Sequence, residues 1–91
     1  MSEERRKVER RRRFVDSSRW QGDESIKQSL VQKCLSLSIV RDNEMFLLEV
    51  NGQRGQKRFP NLNEAKIFAF NGIESGTIEE YVRKRERLSQ R

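Results

Sequence analysis

The stretch from Leu35 to Phe59 constrains the fold most. Leu35, Leu37 and Ile39 alternate with Ser36 and Ser38, the period-two pattern of a half-buried strand. Asp42-Asn43-Glu44 is turn chemistry. Met45 to Val50 then alternates again, with Phe46, Leu48 and Val50 on one side and Met45, Leu47 and Glu49 on the other. Asn51-Gly52 supplies the dipeptide that a tight two-residue hairpin favours. A short basic strand from Gln56 to Phe59 follows, and Pro60 ends it. Three such segments joined by short turns can pair only as an antiparallel meander.

Helical signals flank this block. Asp23 to Cys34 places Ile26, Leu30 and Cys34 at i, i+4 and i+8 behind a candidate N-cap, Asp23, which predicts a short helix. The alternative is an early start to the following strand. Asn61, with Glu64 three residues on, opens a second helix whose face is Leu62, Ala65, Phe68 and Ala69, widened by Ile67 and Phe70. Gly72 stands where a helix-ending glycine belongs. Thr77 and Glu80 begin a third helix with Ile78, Tyr81, Val82 and Leu88 at helical spacing and Glu79–Arg83 and Glu80–Lys84 in the favoured order. The expected fold is therefore α+β, a three-stranded antiparallel sheet packed with two or three helices. Residues 23–91 form one small domain, and residues 1–22 form a basic arm and linker, partly disordered or helical on binding.

Charge is what the fold leaves unexplained. Of 91 residues, 20 are Lys or Arg and 14 are Asp or Glu, a net charge of +6. Residues 1–20 hold eight of the cations and four of the acids, so +4 of the +6 lies in the first fifth of the chain. Between Glu3 and Phe14 only Val8 and Phe14 are uncharged. Guanidinium groups bind phosphate oxygens in bidentate fashion, and a pliable run of them suits a nucleic-acid backbone. Arg5, Arg6, Arg10, Arg11, Arg12 and Arg13 in the arm are the first candidates. Arg54, Lys57 and Arg58 on the last hairpin are the second set, since a basic β-ribbon can lie along phosphates. Their bland reading is an edge strand guarded by charge. An acidic protein surface is the other partner that such an arm could meet. Trp20 either stacks on a base or folds back to pin the arm to the core, and small cores favour the second.

Other classes find little support. Histidine is absent, so the commonest general base is missing, and no nucleophile–base pair is visible; the expectation is a non-enzymatic protein without a cofactor or metal. The single cysteine, Cys34, reads as a small buried hydrophobe and fits a cytoplasmic setting. No apolar run is long enough for a membrane helix. The rival function is a small adaptor or inhibitor that docks on a larger protein through its sheet edge or C-terminal helix. As an assembly, a monomer or a homodimer is expected.

Two resemblances bear on the middle of the chain. Val50-Asn51-Gly52, Gly55, Glu64-Ala65-Lys66 and Ala69 resemble the sheet-to-helix part of a double-stranded-RNA-binding domain. In place of that family's lysine pair at the helix start, this chain has Leu62-Asn63. The same stretch is similar to the three-strand-plus-helix DNA-binding domains of the AP2 and integrase-arm kind, where a helix such as LNEAKIFAF packs behind a basic sheet. Each resemblance covers about a third of the chain and implies a nucleic-acid partner.

Overall fold

A computed structural model describes residues 3–32 and 35–89. The elements run α1 (Glu3–Val15), β1 (Gln21–Asp23), β2 (Lys27–Gln32), β3 (Leu35–Asp42), β4 (Met45–Val50), β5 (Gln53–Phe59), α2 (Leu62–Ser75) and α3 (Thr77–Ser89). The class is α+β, as the sequence implies. The sheet, however, has five strands rather than three, all antiparallel and in the order β1-β2-β3-β4-β5.

Of the two additional strands, β2 occupies the segment that the sequence reads as a helix, and β1 takes Gln21 and Gly22 from the expected linker together with Asp23. Ile26 lies in the β1–β2 turn and is 64 % exposed, whereas Leu30 is buried in the core. Asp23 caps no helix. Its Oδ1 accepts from the Ser25 hydroxyl at 2.6 Å and the Ser25 amide at 2.8 Å, closing the turn and holding the Asp23 carboxyl below its ordinary pKa. Cys34, the third residue of that spacing, lies outside the described residues.

Register sorts side chains onto two faces. Leu30, Leu37 and Val50 form one cross-strand row, and Gln28, Ile39 and Leu48 form the next. Both rows face the helices. Ala65 and Ala69 of α2, with no exposed surface, let the helix approach closely, and Trp20, Phe59 and Ile78 fill the remaining space. Leu37 and Ile39 are fully buried, each worth about 2 kcal/mol of transfer free energy. The opposite face carries the rows Lys27, Val40, Leu47, Arg58 and Ser29, Ser38, Glu49, Arg54. The β4–β5 turn has Asn51 at φ 51° and Gly52 at φ 80°, the left-handed pair that the Asn-Gly signal implies.

The helix boundaries differ from expectation at one glycine. Asn61 caps α2, its Oδ1 accepting from the Glu64 amide at 2.9 Å. The helix then runs through Gly72 and ends at Gly76, whose φ of 79° makes it the left-handed cap. Gly72 is a notch for α3: a Cβ there would sit 2.5 Å from Ile78 Cδ1. Thr77 is the first residue of α3, and its hydroxyl pairs with Ser75 Oγ at 2.8 Å.

The flexible arm expected at the N-terminus is instead α1, seated against α2. Phe14 supplies the reason. Its ring meets Trp20 edge-on at 5.6 Å and Phe70 at 5.7 Å, while Trp20 Nε1 donates to the Phe14 carbonyl at 2.9 Å. Trp20 is only 6 % exposed, so it pins the arm to the core and offers no open ring for a base.

Candidate nucleic-acid interface

Helical spacing divides the arginines of α1. Phe14 and Arg10, one turn apart, face α2, and Arg10 Nε donates to Glu74 Oε1 at 2.8 Å. Arg11 is half-buried beside them. At 100° per residue, Arg5, Arg6, Arg12 and Arg13 fall on one arc of about 120° on the far side, with Glu9 in its middle. All four are exposed. Among the described residues, no carboxylate pairs with their guanidinium groups. Glu3 and Glu4 in the first turn and Arg12 and Arg13 in the last suit the helix dipole.

The hairpin cations are in a different state. Arg54 Nε donates to Glu49 Oε2 at 3.2 Å, and Lys27 approaches the same carboxylate at 3.9 Å. Arg58 Nη2 donates to Asp42 Oδ2 at 3.2 Å. Lys57 Nζ lies 4.8 Å from the centre of the Phe68 ring and 5.6 Å from that of Phe59. All three remain solvent-exposed, but each already has a partner within the chain.

Nor do the two basic sets share a face. Arg54 and Arg58 stand on the side of the sheet away from the helices, by their register with Glu49 and Leu47. On α2, positions 66, 70 and 74 meet α1 and its connection, whereas positions 68 and 72 meet β5 and α3. The arm and the hairpin therefore flank α2 on opposite sides.

Between the α1–β1 connection and the start of α2 lies a cleft walled by Asp16, Trp20, Glu24, Gln28, Glu64 and Lys66. Lys66 is 6 % exposed, with Nζ 5.0 Å from the Trp20 ring centre and 3.4 Å from the Val15 carbonyl. Burial pushes its pKa below the ordinary lysine value, opposed by the charges of Glu24 and Asp16. Gln28 Oε1 is buried without a hydrogen-bond partner among the described residues. The cleft holds one cation and three carboxylates, the wrong balance for a phosphate.

Helical spacing predicts Phe68 in the core, but it is 40 % exposed. Tyr81, another core candidate by spacing, is 44 % exposed and accepts a hydrogen bond from Arg85 Nη1 at 2.7 Å. Both rings border a groove between β5 and α3. The signal was basic residues near each ring, Lys57 in the strand and Arg85 one helical turn on. Among the described residues there is no group of three metal-ligating side chains and no helix long and apolar enough to cross a membrane. No family model, curated protein or solved structure matches this chain.

Proposed function

We propose that this protein is a non-enzymatic nucleic-acid-binding protein that grips the sugar–phosphate backbone, with little regard to sequence, through α1. The observation that carries this reading is the arc of Arg5, Arg6, Arg12 and Arg13, exposed and, among the described residues, without carboxylate partners, on a helix held in place by Phe14. Thirteen residues span about 20 Å, long enough to follow several phosphates or to enter a major groove. Anchoring the helix beforehand removes part of the ordering cost that a disordered arm meets on binding. Arg54 and Arg58 are secondary contacts at most, because each would first leave a carboxylate, and Lys57, over the Phe68 ring, lies across α2 from the arc.

The test is fluorescence anisotropy with labelled duplex DNA, duplex RNA and single-stranded RNA at several salt concentrations. Four neutralised phosphates give a slope of log K against log salt of about −3.6 on B-DNA. The pair Arg12→Glu and Arg13→Glu should lower affinity at least tenfold and flatten that slope by about two. The pair Arg54→Glu and Arg58→Glu should change affinity by less than about threefold. Salt-independent binding, equal losses from both pairs, or no binding at all would sink the reading.

A further inference from the structure

The sheet has two edges of unequal kind. β1 is three residues long, while β5 runs for seven, and among the described residues nothing pairs with its outer side. A long open edge is a template for another extended chain. Beside it, between β5 and α3, lies a groove of about 680 Å³. Val50, Phe59 and Ile78 form its apolar floor, and the half-exposed rings of Phe68 and Tyr81 border it. Two cations, Lys57 and Arg85, stand at the groove's rings, the Arg54 guanidinium being turned to Glu49 on the other face of the sheet, and none of the lining residues is an acid.

We infer that this groove is a docking site for an extended acidic segment of a partner protein, which adds a sixth strand on β5 and directs alternate apolar side chains beneath α3. Backbone hydrogen bonds to β5 would supply affinity, and the positive rim would select acids at the remaining positions. Two other occupants fit less well. A single-stranded nucleic acid would need open ring faces, yet Lys57 covers Phe68 at 4.8 Å and Arg85 lies over Tyr81 at 5.6 Å. A second copy of this chain pairing antiparallel through β5 about Gln56 would set Arg54 of each copy opposite Arg58 of the other, and like charges directly across a strand pair repel. The groove and the α1 arc lie on opposite sides of α2, so one molecule can hold both partners.

The experiment selects a randomised ten-residue display library against the full-length protein, then titrates the labelled winning peptides by anisotropy and by amide NMR. The expected winners alternate Asp or Glu with Ile, Val or Phe and shift the amides of residues 53–59. Lys57→Glu should weaken them about tenfold, and Tyr81→Ala should weaken them several-fold. The pair Arg12→Glu and Arg13→Glu, which tests the nucleic-acid reading, should leave peptide binding unchanged. Enrichment without acids, shifts away from β5, no enrichment, or displacement of the peptide by a single-stranded thymidine dodecamer would each overturn the inference.

Discussion

Replacing Phe14 by Ala should release α1 from the domain while leaving the sheet intact. The ring makes two aromatic contacts, with Trp20 at 5.6 Å and Phe70 at 5.7 Å. Each such pair contributes about 1 kcal/mol beyond area burial. Loss of a half-buried benzyl group adds about 1 kcal/mol more, below the full cost of a buried phenylalanine. What remains is the 2.9 Å bond from Trp20 Nε1 to the backbone carbonyl of residue 14, the exposed Arg10–Glu74 pair, worth at most about 1 kcal/mol, and the 3.4 Å bond from Lys66 to the Val15 carbonyl. A loss of about 2–3 kcal/mol shifts the docked-to-undocked ratio by roughly 30- to 150-fold. Undocked, a thirteen-residue helix with four consecutive arginines frays in water. Amide hydrogen exchange should therefore accelerate across residues 7–14, whose amides bond within α1, by about that factor, with β3 and β4 unchanged. The double variant with Phe70→Ala should cost about 1 kcal/mol less than the two single losses summed. Unaltered protection of residues 7–14 in Phe14→Ala would refute the anchoring role. Equal acceleration in β3 would instead make Phe14 a global core residue.

Two further outcomes follow from the same packing. Gly72→Ala improves helix propensity by up to about 1 kcal/mol but drives a methyl group to within 2.6 Å of Ile78 Cγ1. The steric cost of about 1–3 kcal/mol should prevail, lowering Tm. Ile78→Ala, itself costly in the core, should lose less stability in the Gly72→Ala chain than in the wild type, because there it also relieves the clash. Lys66→Met should alter the pH dependence of stability, read from urea unfolding between pH 7 and 11. The folded chain holds the Lys66 pKa below the ordinary 10.5, so the unfolded chain binds more protons in that window. Wild-type stability therefore gains from this group as pH rises through the window, and the Met variant lacks that gain. Parallel pH profiles for the two proteins would contradict the assignment.

The sequence made β3, β4, the Asn51-Gly52 turn, α2 and α3 legible because each has the period and punctuation of its element. β1, Gln21-Gly22-Asp23, is exposed throughout and has no apolar side chain to show a pattern, and β2 was hidden by one polar residue. In β2 the inward positions are Gln28 and Leu30, so a buried glutamine masks the alternation, and the chance spacing of Ile26 and Leu30 imitates a helix. β5 was cut short because six of its seven residues are exposed and show no pattern. The end of α2 was misplaced because composition alone does not distinguish a glycine that admits Ile78 from one that turns the chain. At the candidate interface, the arginines were legible as charge. Their division into an inward pair and an outward arc depends on Phe14 meeting Phe70, a contact between residues far apart in the chain.

The connectivity of the sheet has a kinetic consequence. Every strand pairs with its neighbour in sequence, so the sheet closes only short loops and can assemble early. The seating of α1 is different, since Arg10 and Glu74 are 64 residues apart. During synthesis α1 leaves the ribosome before the five strands and before α2, which carries its docking surface. For that interval the arginines travel on a helix without a seat, and attachment of α1 is the late step of folding.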